Sequence, residues 1–290
     1  MKKSFLLFFL LLVSCACLSG PSLPAPTPVP TGKLAHMAIN TPIASLLPTA
    51  SPSLTVTSTS GPSATPVLVM QGPDAVFCPI LLYHRIAIPL KPSEYYVSPE
   101  AFRAQMQALK DWGYTPIPIS LLVRAIRQGA LLPEHPVVIT FDDGDISVYT
   151  TAFPIMREFG FVGTNYLVSN RLNAQGYMHR EEILELAQAG WEVGSHSMTH
   201  VDLRTSKNAR REIEESRIDL EAALGLPVNT FAYPVGSMSP NMYITASYFY
   251  SAALGLGPSN HQTSKKLFYL WRRPVDYSWD LETFHNVLLK

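Results

Sequence analysis

Three short polar clusters carry side chains that could do chemistry together. Thr140-Phe141-Asp142-Asp143-Gly144 sets two carboxylates side by side after an apolar run. Adjacent carboxylates repel, so such a pair persists where a cation or hydrogen bonds absorb one charge. One can then hold a metal while its neighbour takes a proton. Alone, an Asp-Asp-Gly also makes a good turn. Ser195-His196-Ser197-Met198-Thr199-His200 places two histidines four apart, able to converge on one ion from a helix or tight turn. No Glu follows His196, so the zincin arrangement with its built-in base is absent, and Asp142 is the obvious supplier of one. With the aspartates, His196 and His200 make a three-ligand site with an open position, which a catalytic zinc needs. Tyr83-His84-Arg85-Ile86 adds a histidine apart from the metal pair and free to donate a proton. Singly, each histidine reads as an ordinary hydrogen-bonded residue; the company they keep points to chemistry.

These clusters need strands behind them. Apolar runs at Pro79–Tyr83, Val137–Phe141 and Phe161–Val168 read as buried strands, and strand-like segments recur at 191–194, 230–233, 251–254 and 268–271. Between them lie helical patterns. One opens at Ser98-Pro99 and stops at Gly113, one runs through about Phe159, and one covers Arg180–Gln188. The longest covers Lys207–Leu224, with Arg210, Arg211, Glu214 and Glu215 on a solvated face, and a last one starts near Asp280. Strand-then-helix order implies a mostly parallel sheet, open or closed into a barrel. In such sheets functional residues gather past the C-terminal strand ends, which is where the three clusters stand.

The clusters, with Phe231-Ala232-Tyr233-Pro234-Val235-Gly236, resemble the polysaccharide deacetylase family, also called the NodB homology domain or carbohydrate esterase family four. The resemblance runs from about Pro79 to Leu288. It implies an α/β fold, a distorted, parallel-stranded (β/α) barrel. It implies Asp142 as catalytic base, with Asp143, His196 and His200 holding a divalent metal, Zn2+ first and other transition metals second. Tyr233, Pro234 and Val235 would line the substrate groove, and a backbone N–H near Val235 would help stabilise the oxyanion. The sequence also departs from the family. Ala232 stands where an arginine is common, Val235 and Asp145 where aromatics are, and the late Leu-x-His motif is missing, since His285 has the wrong spacing. The early Tyr-His-x-Ile pattern is similar to a branch that includes poly-N-acetylglucosamine deacetylases, which implies His84 as the general acid. That branch also carries a late arginine, matched by Arg272-Arg273-Pro274-Val275, so either Arg272 or Arg273 would orient Asp142.

The N-terminal quarter is different material. Residues 1–73 hold no Asp or Glu, only three lysines, and 11 of the 25 prolines. The remainder carries 19 basic against 22 acidic residues, a net charge of −3, which argues against nucleic acid as a partner. Lys2 and Lys3 precede an apolar run too short to span a bilayer, the pattern of an export signal over 1–14. Leu12-Val13-Ser14-Cys15 resembles a lipobox, which implies lipidation at Cys15 and a membrane anchor on the outer face. The alternative is plain secretion. Residues 15–73 read as a Pro/Ser/Thr-rich disordered linker and 74–290 as the catalytic domain. Cys78 reads as a small buried apolar residue.

The expected activity is metal-dependent removal of N-acetyl groups from an N-acetylglucosamine polysaccharide of the envelope or matrix, with no obligate protein partner. Two other readings use the same residues: an O-acetyl esterase acting on a plant or microbial polysaccharide, and a tethered carbohydrate-binding protein without catalysis.

Overall fold

The structure is a computed structural model that describes residues 67–290. The expected export signal, Cys15 and the expected linker up to residue 66 lie outside the described residues. Seven parallel strands close into a ring: β1 (Ile80–Tyr83), β2 (Pro136–Asp143), β3 (Thr164–Leu167), β4 (Glu192–Ser195), β5 (Thr230–Ala232), β6 (Ala252–Leu256) and β7 (Leu270–Pro274). Each pairs with the next in sequence, and β7 returns to β1 through Arg273 opposite Leu81. The chain is therefore a closed (β/α) barrel, as the motif resemblance implies. The helices are α1 (Pro99–Asp111), α2 (Ile119–Gln128), α3 (Phe153–Phe159), α4 (Arg180–Gln188), α5 (Ala209–Leu224), α6 (Pro240–Phe249) and α7 (Leu281–Leu288).

Strand β2 shows why the ring forms. Pro136 to Asp142 are all buried, as expected for a strand with side chains packed on both faces. Its Val137, Ile139 and Phe141 turn outward and share a core with Phe102 and Met106 of α1 and Met156 of α3. Val138 turns inward with Ile80, Tyr166, Leu254 and Leu270. Because side chains alternate along a strand, Thr140 and Asp142 follow Val138 into the barrel. The inner layer is thus apolar at the strand beginnings and polar toward their ends. Leu122, Val123 and Ile126 of α2 join Ile80, Val138 and Leu270, covering the N-terminal end of the barrel. Helix α1 follows its sequence signal: Ser98 caps it by accepting from Ala101 N at 3.1 Å, and Gly113 leaves at φ +76°.

Two helices, α2 and α6, were not anticipated from the sequence; like α3 and α5, they carry no side-chain N-cap bond. One boundary moves as well. Residues 67–73 share the linker's charge-poor composition, yet Leu68–Gln71 form a strand antiparallel to Ala130–Pro133. Backbone pairing holds this segment while Leu68, Val69 and Met70 stay exposed, so composition alone does not mark it. Among the described residues, no helix is long and apolar enough to cross a membrane.

Candidate active site

The inward polar layer converges beyond the C-terminal ends of the strands. Asp142 (β2) meets Arg272 (β7) in a bidentate pair, Nη1 donating to Oδ1 at 2.6 Å and Nη2 to Oδ2 at 2.8 Å. Both residues are almost fully buried. Burial pushes the Asp142 carboxyl up, but the Arg272 guanidinium, with His196 next, overrides this and holds it at about 2. Asp142 is therefore ionised at any working pH.

Asp143 is the last residue of β2 and has φ +73°, leading into Gly144 at φ +80°. This left-handed step swings its carboxylate away from Asp142, toward the loop after β4. His196 leaves β4 with its amide donating to Leu167 O at 2.8 Å, and its Nδ1 lies 2.8 Å from Ala232 O. A carbonyl accepts only, so Nδ1 carries the proton and Nε2 keeps its lone pair facing the cleft. His200 Nε2 sits 3.3 Å from Asp143 Oδ1. Ligand atoms of Asp143, His196 and His200 all lie within 4.8 Å of one another. One carboxylate oxygen and two imidazole nitrogens, one fixed in the ligating tautomer, fit a divalent transition-metal ion. Arg171 also reaches Asp143 Oδ1, at 2.9 Å.

The loop holding His200 is strained. Ser197 (φ +67°) and His200 (φ +63°) are both left-handed non-glycine residues, each costing roughly 1–3 kcal/mol. Hydrogen bonds within the loop and from outside hold this shape. Ser197 Oγ accepts from His200 N at 2.9 Å, and Ser169 N and Asn170 N donate to the carbonyls of Ser197 and Met198. Glu212, near the start of α5, accepts from the amides of Met198 and Thr199.

His84 follows β1 on the opposite wall of the cleft, edge-on to the Tyr95 ring at 5.0 Å. Its Nδ1 is buried with no hydrogen-bond partner. Burial lowers its pKa below the ordinary imidazole value, against the opposing pull of Asp142 and Asp143. The neighbouring Arg85 bonds Asp145 at 2.8 Å, tying the His84 strand to the loop after β2. Asp145 thus has a partner in the position where the family commonly carries an aromatic. The cleft has a volume of about 510 Å³ and is lined by His84, Tyr95, Asp142, Val235, Leu256 and Asp276, among others. A hollow of about 440 Å³ beside α2, lined by Arg124, Arg127 and Leu226, holds none of these groups.

The family model described as polysaccharide deacetylase matches residues 131–252, a span that contains Asp142, Asp143, His196 and His200. Residues 131–252 belong to the polysaccharide deacetylase family. YxkH of Bacillus subtilis, itself a polysaccharide deacetylase by provisional name, is 29% identical over 163 residues, covering 54% of this chain and 56% of its own. The poly-beta-1,6-N-acetyl-D-glucosamine N-deacetylase of Staphylococcus epidermidis is 26% identical over 123 residues, covering 40% and 41%. The chain thus spans about half the length of these curated relatives. A polysaccharide deacetylase structure from Bacillus cereus superposes with a TM-score of 0.67 at 26% identity, covering 74% of this chain and 69% of that one. His84 and Arg272 come from outside the matched residues, so only the three-dimensional ring brings them to the site.

Three of the expected site residues sit elsewhere than in the cleft. Arg273 alternates with Arg272 on β7, points out of the barrel, and donates to Gly257 O at 3.3 Å; it does not touch Asp142. Tyr233 is fully buried, its ring packed on Phe231 and Tyr269 and its hydroxyl donating to Phe268 O at 3.1 Å. Its amide still bonds Leu254 O, so it continues the β5 pleat outward, and Pro234 is buried with it. Val235 does reach the cleft, 56% exposed and left-handed at φ +52°. The aromatic side chain at the mouth is Tyr95, which the sequence reading passed over along with Arg171 and Glu212. Only Glu212 had a signal. It lies four and eight residues before Ser216 and Leu220, on the buried stripe of α5, where a lone acid is out of place.

Proposed function

We propose that this chain is a divalent-metal-dependent deacetylase that removes N-acetyl groups from an N-acetylglucosamine-containing polysaccharide outside the cell. The observation carrying this reading is Asp142, clamped by Arg272, beside the Asp143/His196/His200 cluster, with His84 in the same cleft. The relatives named as poly-beta-1,6-N-acetyl-D-glucosamine N-deacetylases support the choice of substrate.

Asp143, His196 and His200 would hold the ion, zinc by donor type. An ion bound there lowers the pKa of water toward neutrality and polarises an acetyl carbonyl. Asp142 accepts the proton that the attacking water loses, and Arg272 fixes the carboxylate so that it need not reorient. The Val235 backbone lies at the rim, where a main-chain N–H can meet the developing oxyanion. His84 gives its proton to the departing amine nitrogen, which leaves as the free amine of a glucosamine unit, and acetate is released. The lipobox at Cys15 supports an outer-face anchor, and the charge-poor linker supports reach away from the lipid.

Acetate release from poly-N-acetylglucosamine, chitin oligomers, peptidoglycan and acetyl-xylan tests the reading, with the protein stripped by chelator and then reloaded with Zn2+. Release from an N-acetylated glycan only after reloading is expected. Release from acetyl-xylan alone would make it an esterase, and glycan binding without release in any metal would make it a binding protein.

A further inference from the structure

We infer that Glu212 is a positioning residue for the metal centre: its carboxylate shapes the loop that carries His200. The inference rests on the metal reading above and extends it to a helix with no ligand of its own. Glu212 Oε2 accepts from Met198 N at 3.0 Å and Thr199 N at 2.9 Å, and Oε1 accepts from Thr199 Oγ1 at 2.7 Å. All three donors belong to the two residues immediately before His200. Glu212 is 8% exposed and makes no ion pair among the described residues, so these loop donors, with the N-terminal end of α5, are what satisfy its charge.

The loop geometry shows why a fixed acceptor is needed. Between His196, just past the end of β4, and His200, the chain must reverse in three residues so that both imidazoles face one point. It does so through left-handed Ser197 and His200, conformations that relax once the intervening amides lose their acceptor. Met198 and Thr199 point their N–H groups away from the cleft, into α5. Glu212 thus couples the packing of α5, through Ile213, Ser216 and Leu220, to the distance between two ligands it never touches. Outer partners of this kind shift metal affinity by about 10–100-fold when removed.

The test measures Zn2+ affinity of the full chain by competition with a chromophoric chelator, alongside the Tm of the metal-free protein. Glu212→Ala is expected to weaken Zn2+ binding by about tenfold or more. Glu212→Gln keeps an oxygen for both amides, and the Thr199 hydroxyl can turn to accept from the new amide, so binding within about threefold of wild type is expected. Thr199→Val removes one of the three bonds without emptying the helix position and decides the matter if Glu212→Ala does not fold. A loss of about two- to fivefold in affinity with unchanged metal-free Tm is expected there. Zn2+ affinity equal to wild type in folded Glu212→Ala, or in Thr199→Val where Glu212→Ala is unfolded, overturns the inference and leaves the metal reading intact. A wild-type chain that takes up no divalent ion overturns both.

Discussion

Arg272 grips both oxygens of Asp142 from two strands away in the ring, 130 residues along the chain. The pair lies next to His196, whose Nε2 is 3.5 Å from Asp142 Oδ2. Buried charges are tolerated when paired and hydrogen-bonded, and Arg272 meets that need further with Thr140 Oγ1 and Gly255 O, each at 3.4 Å. The closing of the ring and the ionisation of Asp142 are therefore one feature: β7 and β2 do not pair directly, but both flank β1 and their side chains meet inside the barrel.

This predicts two losses from one substitution. Asp142→Asn removes the proton acceptor and should lower kcat by about 10²–10⁴. It also strands the Arg272 cation in the barrel, at a cost of about 3–5 kcal/mol. The double variant Asp142→Asn/Arg272→Met should recover much of the stability and none of the activity. Urea midpoints and acetate release on the three proteins check this; a stable but inactive single variant would contradict the buried pairing.

Acid should unfold the metal-free protein in two stages. The pKa values of His196 and His84 lie below the ordinary 6.5, chiefly because burial disfavours the imidazolium. The unfolded chain then binds those protons first, so stability falls as pH drops below about 6.5. Asp142 acts later and in the same direction: its contribution of about 2 kcal/mol is complete above 3.8 and disappears as pH approaches 2. Denaturant midpoints from pH 8 to pH 2 check this. Stability that rises between pH 7 and pH 5 would contradict the burial of the two histidines.

Much of this architecture was legible because strands and motifs are local. Val137–Phe141 is apolar enough to need two covered faces, and each polar cluster directly follows a strand-like run. Other features depend on information that spacing does not contain. Which of Arg272 and Arg273 faces Asp142 depends on the register of β7 in the closed ring, where one residue of slip exchanges inside for outside. Tyr233 misled for the same reason: its motif predicts a groove residue, while the β5 pleat turns it into the core. Helix α6 has Ile244 and Tyr248 exposed beside buried Met242 and Ala246, so its sequence lacks a clear polar face. Glu212 acts through the direction in which α5 approaches the His200 loop, a tertiary fact.

His84 should separate from the metal centre in its effects. His84→Gln keeps a polar group of similar size but donates no titrating proton, so kcat should fall by about 10²–10⁴ while Zn2+ affinity stays unchanged. The loss should shrink on a substrate with a better leaving group, such as an activated acetate ester, because that departure needs less protonation. An equal loss on both substrates would mean that His84 shapes the cleft rather than supplying a proton.

The two tyrosines offer the sharpest contrast between motif and position. Tyr95 stands at the cleft mouth, 48% exposed, with its ring against His84. Sugar rings pack well on such a face, and losing about 1 kcal/mol of contact corresponds to about a fivefold change in affinity. Tyr95→Ala should therefore raise KM severalfold and shift stability by less than about 0.5 kcal/mol, as expected of an exposed residue. Tyr233→Phe removes only the hydroxyl that donates to Phe268 O, so it should cost about 1 kcal/mol of stability and leave KM unchanged. Measuring KM and urea midpoints on both variants decides which aromatic meets the glycan. A raised KM in Tyr233→Phe would place the motif tyrosine back in the groove and require β5 to end one residue earlier.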